Sequence, residues 1–126
     1  MDNRKDLRPV LPTIQETSNC SLEETFQNTT LRQIIKLQHP LLMALFKNYA
    51  VTRKTDLTSL PDQRIKRFIE SALSKDIAFK NKLIGIVVGH FTSEEFDLYK
   101  DLSSEFNKRI LSILKNRLKD SLSELV

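Results

Sequence analysis

The sequence predicts an all-α protein, built as an antiparallel bundle of four main helices plus one short N-terminal helix. Its 126 residues include only 2 glycines and 4 prolines, whereas the tight turns of sheet-rich folds call on both. Apolar residues recur at steps of three and four along most of the chain, as on one face of a helix. Residues 83–88 are rich in β-branched residues, as strands are, but the sequence has no second strand-like segment that could pair with them. We therefore predict a buried helix there too.

The chain is expected to fold as a single helical-bundle domain, residues 21–126, behind a flexible N-terminal arm, residues 1–20. A hydrophobic share of 40% and a charged share of 29% are ordinary for one globular domain. The arm contains Pro9 and Pro12 and shows neither helical nor alternating periodicity.

Three features predict a cytoplasmic location without membrane contact. Cys20 is the only cysteine and has no partner for an internal disulfide, which suits a reducing compartment. The charged N-terminus is not followed by the apolar run of a secretory signal. The longest apolar run is also far too short to span a bilayer.

The first half of the domain is predicted to hold two helices. Ser21 and Glu24 have the spacing of a capping box, so a short helix is expected near residues 22–28. A longer one is expected at about residues 30–53, with Pro40 inside its apolar stripe. A proline there either kinks the helix or breaks it, with a restart that places the proline in the first turn. Because the stripe keeps its phase, the sequence favours one kinked helix.

Two further helices are expected at about residues 61–74 and 75–89. Pro61 suits the first position of a helix, and a clean apolar stripe follows it. In the second of these helices, Gly85 and Gly89 are four residues apart on one face. That spacing either lets another helix approach closely or reflects Gly89 ending the helix in the left-handed conformation.

Thr92 and Glu95 form a second capping box, which opens a helix predicted to span about residues 93–123 without proline or glycine. Such a helix is ~45 Å long at ~1.5 Å per residue, longer than a globule of this size is wide. We therefore expect its last turns either to project from the bundle or to be covered by a second copy, and on this ground we predict a homodimer. The predicted dimer contacts are Leu114, Leu118, Leu122 and Leu125.

The apolar stripes also define a predicted core. Its members are Leu31, Ile34, Leu42, Leu45, Phe46, Ile65, Phe68, Ile69, Leu83, Val87, Phe96, Tyr99, Phe106, Ile110 and Ile113.

No arrangement of residues typical of catalysis appears in the sequence. Metal sites need converging histidine, cysteine or carboxylate ligands, and His39, His90 and Cys20 show none of the usual spacings. A nucleophile elbow and a glycine-rich phosphate loop are missing as well. We therefore predict no catalytic residue, no metal and no cofactor. If a small ligand binds, the expected pocket lies between helices near His39, Tyr49 and His90.

Charge is distributed unevenly around a net +4. Residues 47–82 carry nine basic and four acidic groups, whereas residues 83–99 carry three acidic and no basic groups. The basic stretch either attracts nucleic acid or an acidic partner, or serves as a solvated face that maintains solubility. The residues that would form a binding patch are Arg53, Lys54, Arg64, Lys66 and Arg67.

Three stretches resemble a group of small all-helical bacterial proteins, over about residues 22–121. They are Phe26-Gln-Asn-Thr-Thr-Leu-Arg-Gln-Ile-Ile-Lys-Leu-Gln, Gly89-His-Phe-Thr-Ser-Glu-Glu-Phe and Asn107-Lys-Arg-Ile. Some members of that group bear the label glyoxalase, which implies a metal-dependent enzyme that isomerises the adduct of glutathione and an α-keto aldehyde. None of that enzyme's ligands maps onto a residue of this chain, so the resemblance implies a bacterial origin and leaves the mechanism open.

Three functions follow as hypotheses. The first is a non-catalytic interaction or assembly module that forms a homodimer and that could also bind a further protein partner. The second is binding of nucleic acid or an acidic partner through the basic stretch. The third is a glyoxalase-like or other small-ligand enzyme.

Overall fold

The structure is a computed structural model, and it describes residues 26–126. A π-helical turn, Phe26–Leu31, leads into seven α-helices in the described residues. These are α1 (Arg32–Leu37), α2 (His39–Thr52), α3 (Asp62–Lys75), α4 (Ile77–Val88), α5 (Ser93–Lys100), α6 (Ser103–Lys119) and α7 (Leu122–Leu125), with a 3₁₀ turn at Leu57–Ser59. The all-α class is confirmed, and residues 83–88 are helical. The predicted arm, the Ser21 capping box and most of the helix near residues 22–28 lie outside the described residues.

The helix predicted at residues 30–53 is interrupted at Gln38, whose φ of −91° and ψ of 9° are not helical. Helix α2 restarts there with Pro40 in its first turn. The single kinked helix that the sequence favoured is therefore wrong, and the break is the observed alternative. The physical reason is that proline has no N–H and clashes with the preceding turn, but is accommodated at the start of a helix.

The end of α2 is a Schellman turn with a lysine where glycine is usual. Lys54 N–H donates to the Val51 carbonyl at 2.9 Å, and Thr55 N–H donates to the Ala50 carbonyl at 2.9 Å. Lys54 has a φ of 56°, the only positive φ at a non-glycine residue in the described chain. This left-handed conformation ends the helix and satisfies its last carbonyls.

The helices predicted at residues 61–74 and 75–89 are confirmed as α3 and α4. Pro61 lies just before α3 at its N-cap. Asp76 caps α4, because its Oδ1 accepts from Phe79 N–H at 3.1 Å. Pro61 and Asp76 each act on a helix start within a few residues, so these two starts can be recognised in the sequence alone.

Neither prediction for the two glycines holds in this chain. Gly85 is exposed, and a Cβ there would meet nothing within 4 Å, so no helix of the described chain packs on it. Gly89 lies at the end of α4 with a right-handed φ of −61°, not in the left-handed region.

The long C-terminal helix predicted at residues 93–123 is wrong, because turns divide it into α5, α6 and α7. The backbone leaves the helical region at Leu102 (φ −128°, ψ 30°) and at Ser121 (φ −117°, ψ 30°). Aspartate and serine surround both turns, and their side chains favour turns over helix interiors. The second turn brings α7 against α2 and leaves Leu125 only 3% exposed.

The capping box that opens α5 is confirmed. Glu95 N–H donates to Thr92 Oγ1 at 3.2 Å, and Thr92 N–H donates to Glu95 Oε1 at 2.8 Å. Both residues are buried, so the box also satisfies polar groups inside the fold.

Most of the predicted core is buried. Leu45 and Phe68 are half-buried, and Phe96 is 45% exposed, so its assignment to the core was wrong. Phe96 faces outward because α5 is a separate short helix that turns Glu95 and Tyr99 inward. The buried members of the predicted core are Leu31, Ile34, Leu42, Phe46, Ile65, Ile69, Leu83, Val87, Tyr99, Phe106, Ile110 and Ile113.

Contacts between α2 and α4 show that these helices run antiparallel. Tyr49, near the end of α2, stacks on Phe79, near the start of α4, with ring centroids 4.1 Å apart. At the other end, the side chain of Gln38 is hydrogen-bonded to His90, just after α4. None of the described helices combines the length and apolar character needed to cross a membrane.

Candidate functional site

The structure does not bring His39, Tyr49 and His90 together into one pocket. Arg117 Nε donates to His39 Nδ1 at 2.8 Å, so that nitrogen carries no proton. His39 Nε2 is then the protonated nitrogen, and it donates to Glu124 Oε1 at 2.9 Å. The His39 ring therefore ties the start of α2 to α6 and α7, which is a structural role.

Tyr49 belongs to a separate polar cluster at the opposite end of α2. Its hydroxyl donates to Asp76 Oδ2 at 3.0 Å, and Arg53 pairs with the same oxygen while lying 5.1 Å from the Tyr49 ring centroid. The cap bond from Phe79 N–H, followed by the Tyr49 hydrogen bond, lowers the pKa of Asp76. Burial and the neighbouring carboxylate raise the pKa of Tyr49.

That cluster borders a depression of about 310 Å³ that includes Tyr49, Asp76 and Lys82 but neither histidine. A tyrosine with a raised pKa stays protonated and is a poor general base at neutral pH. In the part of the chain that the structure describes, no three histidine, cysteine or carboxylate side chains converge as metal ligands do.

The predicted dimer contacts are part of the chain's own core. Leu118 is 0% exposed, while Leu114 and Leu125 are each 3% exposed, and the half-buried Leu122 packs against the same core. Once the long helix divides, these leucines are covered by the bundle itself. They are not available as a surface for a second copy, and the argument from an overlong helix no longer applies.

The predicted basic patch is divided into two parts. Arg53 is neutralised by Asp76, and Lys54 lies in the turn that ends α2. Arg64, Lys66 and Arg67 are exposed on α3, and no described carboxylate lies within ion-pair distance of them.

Two lysines of α6 are paired with a carboxylate of α3. Glu70 holds Lys115 at 2.7 Å and Lys119 at 3.6 Å, linking α3 to α6. The hydrogen bond from Lys115 is the main cause of the lowered pKa of Glu70. Because Glu70 is committed to α6, it does not neutralise Arg64 or Arg67, which are three residues apart on the outer face of α3. We call Arg64 and Arg67, together with the exposed Lys66 on the neighbouring flank of the same helix, the basic face.

An exposed acidic surface lies on another helix. Glu94, Asp97 and Asp101 are spaced three and four residues apart, which places them on one side of α5 and its C-cap. Asp97 pairs with Lys100 at 3.5 Å, whereas Glu94, Asp101 and the nearby Glu105 are exposed without a described cation in ion-pair range. We call Glu94, Asp97 and Asp101, together with Glu105 in the first turn of α6, the acidic face.

Sequence reasoning found the basic stretch but not which of its cations stay unneutralised, since that depends on contacts between helices. It noticed the acid excess in residues 83–99 but assigned it no role. The charges of residues 93–105 were the available signal. This segment has one basic residue, Lys100, and five acidic residues: Glu94, Glu95, Asp97, Asp101 and Glu105.

Comparisons of this chain with protein-family models, with curated proteins and with solved structures give no match.

Proposed function

We propose that this protein is a non-catalytic assembly module of the cytoplasm that associates with a second copy of itself, the basic face of one copy contacting the acidic face of the other. The observation that carries the proposal is the charge of Arg64, Lys66 and Arg67, which no described carboxylate neutralises, on the same chain as an exposed acidic face. A twofold dimer makes this contact twice, because each copy supplies both faces. Electrostatic complementarity of this kind sets register and speeds association.

A second copy fits these faces better than nucleic acid does. Binding of single strands uses exposed aromatic rings among basic residues, but Phe68 is turned inward against Phe46 and Tyr49, with centroids 5.6 and 5.7 Å away. A duplex would also be repelled by the acidic face, which a partner carrying the basic face attracts.

The test is sedimentation velocity of the full chain over a range of concentrations, at about 50 mM and about 500 mM NaCl, since the Debye length shortens with salt. We expect association at low salt that weakens at high salt. A chain that stays monomeric at low salt and high concentration contradicts the proposal. Salt-sensitive binding of an oligonucleotide by the basic face, in place of self-association, would replace it with the nucleic-acid function.

Charge reversal identifies the faces. Arg64→Glu/Arg67→Glu and Glu94→Lys/Glu105→Lys should each abolish self-association, and mixing the two variants should restore a complex. Arg32→Glu/Lys36→Glu is the matched control, because it makes the same charge change at exposed positions of α1. If the control variant loses association equally, net charge rather than the two faces is responsible and the proposal fails.

A further inference from the structure

Phe96 is the one aromatic ring among the large apolar side chains that are exposed in the described residues. It lies near the start of α5 and is 45% exposed. Its neighbour Tyr99, whose ring centroid is 6.0 Å away, is buried, and so is Phe91, which packs on Tyr99. About half of the Phe96 side chain is therefore open to contact by another molecule.

The Phe96 ring and a carboxylate of the acidic face line the same open depression, of about 360 Å³. Among the described residues that line it, Asp97 is the one with a charged side chain. Lys100 approaches Asp97 Oδ1 at 3.5 Å, but both side chains are exposed, so this pair is weak, and Oδ2 has no described partner. The depression therefore combines an aromatic ring with a carboxylate oxygen that can accept a hydrogen bond.

The charges around this depression favour a cation. The acidic face continues from Asp97 to the exposed Glu94 and Asp101 on the same side of α5 and its C-cap. The free N–H groups at the start of a helix attract anions, but here the capping box engages that of Glu95, and Glu94 adds a negative charge in the same turn. The ligand that fits is therefore positively charged and has a surface that packs on an aromatic ring.

Arginine combines these two properties. Its planar guanidinium can stack on a ring and donate to a carboxylate at the same time, whereas the ammonium of lysine is a compact, strongly hydrated charge. The basic face has two arginines, Arg64 and Arg67, which are exposed on α3 without a described carboxylate in ion-pair range. Complementary charge sets register and rate more than affinity, and affinity is concentrated in a few aromatic and arginine contacts.

We infer that Phe96 is the anchor of self-association, on which an arginine of the second copy's basic face stacks while its guanidinium donates to Asp97. The inference rests on the proposed function and deepens it, because it names the contact that supplies affinity within the pairing of the two faces. A twofold dimer makes this contact twice, so the loss of one ring per chain removes both contacts.

Substitutions of Phe96 test the anchor by sedimentation velocity of the full chain at about 50 mM NaCl. Phe96→Leu keeps an apolar side chain without a ring and should weaken self-association roughly five- to thirtyfold, whereas Phe96→Tyr keeps the ring and should stay within about threefold of the wild type. Leu41→Ala is the control, because Leu41 is an apolar side chain of α2 that is 44% exposed. Wild-type affinity of Phe96→Leu, an equal loss in Phe96→Tyr, or an equal loss in the control overturns the inference.

The arginines are tested by a change that keeps their charge. Arg64→Lys/Arg67→Lys retains both positive charges but removes the planar guanidinium groups, so it should weaken self-association about as much as Phe96→Leu does. Adding Phe96→Leu to this variant should cause little further loss, because the contact is already missing. Arg32→Lys, at an exposed arginine of α1, is the control. Wild-type affinity of the Arg64→Lys/Arg67→Lys variant, or fully additive losses, overturns the inference.

The same experiments separate this inference from the proposed function. A wild-type chain that stays monomeric at low salt removes both. Self-association that is abolished by Arg64→Glu/Arg67→Glu but is unchanged by Phe96→Leu and by Arg64→Lys/Arg67→Lys upholds the pairing of the two faces and overturns the anchor alone.

Discussion

Asp76 joins the end of α2 to the start of α4 through Tyr49. One carboxylate oxygen accepts from the Tyr49 hydroxyl at 3.0 Å, and the other accepts from the N–H of Phe79 at 3.1 Å. A single side chain is therefore both a helix cap and a contact between helices. Each of these bonds favours the ionised carboxylate, which is why the pKa of Asp76 lies below its ordinary value.

The lowered pKa makes the stability of the fold depend on acid pH. Below the ordinary pKa of 3.8 the unfolded chain binds a proton that the folded chain resists, so folding is disfavoured as the pH falls. The contribution is fully present above about pH 5 and is lost as the pH drops through the lowered folded pKa. Asp76→Asn retains a cap acceptor without the charge, so its unfolding free energy should fall less steeply with acid.

Urea unfolding of the wild type and the Asp76→Asn variant between neutral and strongly acid pH measures this difference. Glu70→Gln is a useful comparison, because the pKa of Glu70 is also lowered, mainly by its hydrogen bond from Lys115. Parallel pH curves for the wild type and the Asp76→Asn variant would show that Asp76 has the same pKa in both states.

Lys54→Gly is predicted to stabilise the protein. The substitution relieves the left-handed strain at φ 56° and should raise the free energy of unfolding by about 1 kcal/mol. Lys47→Gly is the matched control, since the same change in the right-handed interior of α2 should lower stability by about 1 kcal/mol. Thermal and urea unfolding measure both variants. Equal effects of the two substitutions would argue against a strained turn at Lys54.

Gly85→Ala is predicted to stabilise α4. The new Cβ would meet nothing within 4 Å, and alanine is favoured over glycine in an exposed helix by roughly 0.5–1 kcal/mol. Gly89→Ala should stabilise the protein less, because the new Cβ would lie 3.1 Å from the carbonyl oxygen of Gly85. Thermal unfolding compares the two variants. A destabilised Gly85→Ala variant would indicate that another molecule packs closely on this face.

Leu118→Ala distinguishes a core residue from a dimer contact. Leu118 is 0% exposed, so the cavity should cost about 2–5 kcal/mol of unfolding free energy. Val51→Ala, at a side chain 72% exposed, should change it by less than about 0.5 kcal/mol. Urea unfolding at two protein concentrations tests the assignment. If Leu118→Ala lowers the free energy of unfolding only at the concentration where the protein self-associates, Leu118 is a contact between copies and not a core residue.

The turns inside residues 93–123 show where sequence reasoning stops. The segment contains neither proline nor glycine, and its apolar stripe runs through both turns with helical spacing. Aspartate and serine favour turns by a few tenths of a kcal/mol, too little to decide on their own. At the second turn the decision comes from burying Leu125 against α2, which a straight helix cannot do.

Local signals determined much of this protein from its sequence alone. The all-α class, α3, α4 and the Thr92 capping box follow from apolar spacing, Pro61 and short-range hydrogen bonding, which act within one helix and its ends. Tertiary structure decided which charges are neutralised. Glu70 forms an ion pair with Lys115 and Asp76 forms one with Arg53. Arg64 and Arg67 have no described carboxylate within ion-pair distance. The reason is that ion pairs and buried surfaces depend on distances between helices, and a linear sequence does not contain those distances.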